Sequence, residues 1–159
     1  MKKVLGYWTG VMVLILMGCS DTPTHSANPV RQMAIGQFDR MITSADFSGL
    51  VVVVAAWCPP CREELPDVAR LYRGGLPEGL KIVALSLDEG DAKPVQRLVA
   101  DLNLPFPVYM VGMPAAAHYK IVGVPSVMTV KAGRILEKIP GRQTPAQLTA
   151  RIKSLTDTD

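Results

Sequence analysis

Apolar residues along the chain fall into runs and into helical stripes, and the two alternate. Leu50 to Val54 is an unbroken apolar run, four of its residues valine, and Leu80 to Leu87 (Leu-Lys-Ile-Val-Ala-Leu-Ser-Leu) is a second run broken only by Lys81 and Ser86. Runs of this kind fit buried strands of a parallel sheet covered on both faces. Between them Leu65, Val68, Ala69, Leu71 and Tyr72 recur at helical spacing, so the stretch after Cys61 reads as a helix that stops before Gly74-Gly75. A second helix is predicted from about Ala92 to Leu102, with Val95, Leu98, Val99 and Leu102 on its inner face. Phe106 to Val111 reads as a short strand that Pro105 and Pro107 keep near a sheet edge, and Pro114 to Tyr119 as a short helix. Val127–Val130 and Ile135–Ile139 flank Lys131-Ala132-Gly133-Arg134, the pattern of a hairpin. Thr144-Pro145 opens the last helix, Thr as N-cap and Pro at the first position, with Leu148, Ile152 and Leu155 as its buried stripe. Upstream, Phe38, Met41 and Ile42 share one face of a short helix starting near Gly36 or Gln37. Alternation followed by an antiparallel pair predicts an α/β fold: a mixed central sheet with helices on both faces.

The N-terminus follows other rules. Lys2 and Lys3 precede an apolar stretch, Val4 to Met17, that is short for a bilayer span of about 20 residues and suited to a signal peptide. It ends in Leu16-Met17-Gly18-Cys19-Ser20, which resembles the bacterial lipoprotein box. That resemblance implies a leader at residues 1–18, lipidation of Cys19, and a location on the periplasmic side of a bacterial membrane. The competing reading is an uncleaved signal anchor, which also places the domain outside the cytoplasm. Asp, Thr, Pro, Ser and Asn dominate as far as Pro29, so residues 19–29 read as a tether carrying a solvated His25, and 30–156 as one folded domain.

Composition narrows the function. The formal charge of +3 is small, and with Lys2 and Lys3 set aside from the 17 Lys and Arg the excess over 14 Asp and Glu falls to one. No basic cluster alternates with aromatics, so a nucleic-acid partner has no support.

Chemistry concentrates in Trp57-Cys58-Pro59-Pro60-Cys61, between the valine strand and the first long helix. A cysteine pair with two intervening residues at such a junction is the layout of a thiol–disulfide centre. The first sulfur meets the free N–H groups and dipole of the helix N-terminus, which stabilise a thiolate, and Pro59 sits in a first turn that needs no N–H from it. Cys58, which precedes the helix, is expected to be exposed, and Cys61, one turn in, to be covered. A zinc site would need further soft ligands, and Cys19, His25 and His118 lie at no useful spacing, so no metal is assigned. A purely structural disulfide closing so short a loop would constrain the unfolded chain very little.

With Gly-Val-Pro-Ser before the hairpin (residues 123–126) and Lys-Ala-Gly-Arg at its turn, this motif resembles the thioredoxin superfamily. The added strand and helix between Leu80 and Val111 resemble its TlpA/ResA/CcmG branch of membrane-tethered thiol–disulfide oxidoreductases. The likeness covers about Gly49 to Leu155. It implies a thioredoxin-like fold, Cys58 as nucleophile, Cys61 as resolving cysteine, and a cis bond at Pro125 that faces the disulfide and frees Val124 to bind an extended substrate. Trp57, Pro59 and Pro60 then flank the sulfurs, and no cofactor beyond the Cys58–Cys61 disulfide is implied. Glu64, followed by Leu65-Pro66, matches the acid this branch places near the active site; its own residues leave proton acceptor and solvated helix-face acid equally open. The implied partners are proteins with disulfides or cysteine pairs, with reduction the implied direction and a membrane thiol donor to recycle the protein. The branch's usual β-hairpin and Pro-Asp-Phe start are not found, and Phe38-Asp39 sits instead like the first helix of plain thioredoxin.

Other classes compete. A disulfide-forming or isomerising protein of the same fold is the runner-up. Met110, Met113 and His118 raise copper handling, since thioether and imidazole bind copper, although such methionines are more often core. A binding lipoprotein on the same scaffold is opposed by the intact cysteine pair, and a peroxidase by the lack of Thr-x-x-Cys around either cysteine.

Overall fold

Alternate residues of one strand feed two separate cores. The computed structural model describes residues 28–157; the expected leader, Cys19 and the tether through residue 27 lie outside the described residues. Within Ser48–Val54 (β2), Leu50, Val52 and Val54 pack on one face and Val51 and Val53 on the other, all essentially without solvent contact. Strand side chains alternate, so an all-apolar run needs cover on both sides. Helices Pro59–Arg73 (α2), Lys93–Asp101 (α3) and Pro145–Thr156 (α5) contribute buried residues to the first core. Helices Ile35–Ile42 (α1) and Pro114–Tyr119 (α4) contribute to the second, through Phe38, Ile42, Ala115 and Tyr119. Each fully buried Leu, Val or Phe adds about 1.5–3 kcal/mol, so β2 is central to the stability of both layers.

Among the described residues the sheet has six strands in the order β1-β4-β3-β2-β5-β6, with β1 at Arg31–Gln32, β3 at Leu80–Ser86, β4 at Val108–Met110, β5 at Ser126–Lys131 and β6 at Arg134–Pro140. From β1 to β2 neighbours are parallel; β5 runs antiparallel to β2, and β6 to β5. The end of β2, the end of β3 and the start of β5 therefore meet at one edge of the sheet, where parallel α/β sheets place their sites.

Several expectations shift. β4 is not an edge strand, because β1 pairs outside it. Pro107 instead limits where β4 begins: it has no N–H to give, while its carbonyl accepts from the Ala84 N–H at 2.9 Å. Helix α2 starts at Pro59 with Cys58 as N-cap, as the placing of Pro59 in a first turn predicts. Ordered contacts also reach into the stretch read as tether, since Asn28 C=O accepts from Gln96 Nε2 (3.2 Å) and Val30 N–H donates to Gln96 Oε1 (2.9 Å). The hairpin turn is as the sequence predicts: Ala132 and Gly133 both have positive φ, 47° and 75°, which suits the twist of the flanking strands. Thr144 caps α5 reciprocally with Gln147 (Thr144 N–H to Gln147 Oε1, 2.8 Å).

Candidate active site

Cys58 and Cys61 are joined in a disulfide with Cα atoms 5.3 Å apart, at the head of α2. Cys58 Sγ accepts the Cys61 N–H at 3.2 Å, which satisfies one of the free donors of the helix N-terminus. The expectation of an exposed Cys58 is corrected: it is only 3% exposed in the disulfide form, because its sulfur is turned onto the helix end and bonded to Cys61, which is fully buried. What faces solvent is the flank. Trp57 is 63% exposed, so it is not packing the core, and Pro59 and Pro60 are exposed beside it.

The loop carrying these residues is tied to β3. Leu87 N–H donates to Val54 C=O (3.0 Å), and Asp88 Oδ2 accepts the Ala56 N–H (2.9 Å) and the Ser86 hydroxyl (2.6 Å). Asp88 was not among the residues the sequence singled out. Its position just past a central parallel strand was the available signal.

Glu64 is not a solvated helix-face acid. It lies three residues beyond Cys61 on α2, so the two share a face, and both have zero exposure. Oε1 accepts the Gln143 N–H at 2.6 Å, while Oε2 has no partner among the described residues. Burial raises its pKa, against the opposing pull of the Gln143 N–H and the Arg142 charge. Its neighbour Glu63 does face solvent, paired with Arg142 at 3.0 Å. Nothing in the pattern of the sequence marked Gln143, which comes from the turn between β6 and α5.

The Val124–Pro125 bond is cis, just before β5. Ser126 pairs with Val53 near the end of β2, so this bond lies at the same sheet edge as the disulfide. Pro125 C=O accepts from Gly141 N–H (2.8 Å), and Gly141 C=O from Gln143 Nε2 (2.9 Å), so one short turn joins the proline to the residue that holds Glu64. Among the described residues the backbone N–H and C=O of Val124 have no hydrogen-bond partner.

Met110, Met113 and His118 are not brought together. Met110 is buried in the core of the α2 face, and Met113 is half exposed with its N–H on Glu89 Oε1 (3.3 Å). His118 Nε2 meets Asp39 Oδ1 of α1 at 3.0 Å, on the opposite face. The Tyr119 hydroxyl also donates to Asp39 (3.1 Å), and burial with that carboxylate raises its pKa.

Residues 29–138 match the AhpC/TSA family. The chain is 32% identical over 122 residues to thiol-disulfide oxidoreductase ResA of Bacillus thuringiensis subsp. konkukian, an overlap covering 74% of this chain and 70% of that one. The fold is similar to that of StoA from Bacillus subtilis (TM-score 0.59, 24% identity, 67% of this chain and 82% of that one). It is also similar to a thioredoxin-family thiol:disulfide interchange protein from Chlorobium tepidum (TM-score 0.62, 23% identity, 73% and 83%). The Cys58–Cys61 pair on a thioredoxin-like sheet and the length of these matches lead to one assignment: the chain belongs to the AhpC/TSA family, as a thiol–disulfide oxidoreductase of its TlpA/ResA/CcmG-like branch.

Proposed function

We propose that the protein, anchored outside the cytoplasmic membrane by lipid on Cys19, reduces disulfides in partner proteins and is itself recycled by a membrane thiol donor. Its substrates are of the kind met in cytochrome c maturation or copper-oxidase assembly: cysteine pairs that must be free thiols to bind haem or metal. No helix among the described residues is long and apolar enough to cross a membrane; the lipid anchor is supported by the Leu16-Met17-Gly18-Cys19 resemblance to a lipoprotein box.

The observation that carries the reading is the Cys61 N–H donated to Cys58 Sγ at the head of α2. A thiolate released there on reduction keeps that donor and the helix dipole, which stabilise it and make Cys58 the attacking group. Cys58 thiolate attacks one sulfur of the substrate disulfide; that S–S bond breaks and the other sulfur leaves as a thiolate. Cys61 then gives up its proton and attacks Cys58 Sγ, restoring the Cys58–Cys61 bond and releasing the second substrate thiolate. Two electrons pass from the protein to the substrate disulfide, and the two released substrate thiolates take up protons from solvent. Glu64, buried on the same face with one oxygen unpartnered, takes the Cys61 proton. Val124, with its backbone groups unpaired, binds an extended substrate segment, and Trp57, Pro59 and Pro60 border it.

The reduction potential of the Cys58–Cys61 couple tests the direction. Trp57, beside the couple, provides a fluorescence readout during equilibration with glutathione or dithiothreitol. A value near roughly −270 mV, like thioredoxin's, is expected for a dedicated reductant. One near roughly −120 mV would mean an oxidant, and the disulfide-forming reading would replace this one.

A further inference from the structure

Beside the disulfide lies a groove of about 360 Å³, lined by Trp57, Arg62 from the first turn of α2, Asp88 from the loop after β3, and Pro94, Arg97 and Asp101 of α3. Its four charged side chains are not equivalent. Asp88 is nearly buried, and its Oδ2 is engaged by the Ala56 N–H and the Ser86 hydroxyl. Arg62 and Asp101 satisfy each other at 3.1 Å. Arg97 is exposed and, among the described residues, has neither a hydrogen bond nor an ion pair. The groove thus holds one uncommitted cation next to the most exposed aromatic ring at the redox centre.

We propose that this groove receives the polypeptide flanking the reacting cysteine of a partner, and that Arg97 pairs with an Asp or Glu in that flank. The inference rests on the disulfide-exchange reading and adds to it a chemical class of substrate. Two sulfur atoms offer little to recognise, so discrimination between disulfides must come from neighbouring contacts. A guanidinium presents a planar fork of donors that matches a carboxylate, and a tryptophan face accepts the side chain or backbone beside it. The charged Asp88 carboxylate is nearly buried and turned to Ala56 and Ser86, and Asp101 is paired with Arg62, so Arg97 is the exposed, unpaired charge that a bound flank meets. Charge at such a rim acts mainly on encounter rate and on the choice among partners.

The test uses the reduced protein and short peptides whose single cysteine carries a neutral 2-thiopyridyl disulfide, with Glu, Gln or Lys placed beside the cysteine on either side. Attack by Cys58 on the peptide sulfur releases thiopyridone, which is followed by absorbance; Cys61 then releases the peptide thiol. The Glu peptide should react about two- to fivefold faster than the Gln peptide on at least one flank, the range of an exposed ion pair, and the Lys peptide more slowly. This ordering should shrink as salt is raised. Arg97→Ala should erase it, Arg97→Glu reverse it, and Arg97→Lys keep it. Hydroxyethyl disulfide, which has no charged flank, should react at the same rate with every variant. No ordering in the wild type, or the same ordering in Arg97→Ala and Arg97→Glu, overturns the proposal while hydroxyethyl disulfide still reacts. If hydroxyethyl disulfide does not react either, the exchange reading itself fails, and this inference with it.

Discussion

At the scale of single residues, Glu64 shows how far side-chain direction matters. Glu63 and Glu64 are adjacent acids on one helix, yet one is paired in solvent and the other fully buried. Successive helix residues point about 100° apart, so one turns outward and the next inward. Burial holds the folded-state pKa of Glu64 above its ordinary 4.5, so the folded chain binds this proton more tightly than the unfolded chain does. Stability attached to this group is therefore present at low pH and declines as pH rises from 4.5 through the raised value. Glu64→Gln, which cannot ionise, should flatten that decline; urea unfolding of the oxidised protein between pH 4.5 and 8 would show it. Equal slopes in both proteins would mean that Glu64 has no raised pKa. In the reduced protein the same substitution should change the pH profile of thiol alkylation, whereas a purely structural Glu64 would leave it unaltered.

At the scale of elements, the turn between β5 and β6 does more than reverse the chain. Gly133 has φ 75°, and its N–H donates to Phe47 C=O at 2.9 Å. A Cβ there would lie 2.3 Å from the Thr43 carbonyl oxygen, so the hairpin tip packs on the end of α1. Gly133→Ala should cost about 2–4 kcal/mol, from contact as well as backbone strain, read as a lower urea midpoint with an unchanged m-value. A loss under about 1 kcal/mol would show that the tip can move away from α1. The elements that sequence pattern found are those with an apolar run or face of their own: α1, β2, α2, β3, α3, β4, α4, the hairpin and α5. Strand β1 escaped because Arg31 and Gln32 are both exposed and carry no period. It is a strand only because β4 offers an open edge beside it. The same pairing moved β4 inward from the edge position its prolines suggested.

At the scale of the whole molecule, the sheet separates the redox chemistry from one of its two supporting cores. Phe38, fully buried, meets Tyr109 edge to face at 5.7 Å in the core of the α1–α4 side. Both cysteines belong to the other core. Phe38→Ala should therefore destabilise the fold by about 3–5 kcal/mol while leaving the Cys58–Cys61 potential unchanged. A shifted potential would show that the two layers are coupled through β2.

The sequence alone determined the layered α/β fold, the cysteine pair and its place at a strand-to-helix junction. Those follow from local periodicity and from chemistry written in adjacent residues. Tertiary structure decided what depends on convergence from distant segments. It put Asp88 under Ala56, Gln143 on Glu64, and the turn at Gly141 on Pro125. It also covered Cys58, which a helix N-terminus alone would have left open. Only the packing of α3 against the redox loop placed an uncommitted Arg97 beside Trp57. Hydrogen bonds and charge pairs of this kind join residues tens of positions apart, and no local pattern encodes them.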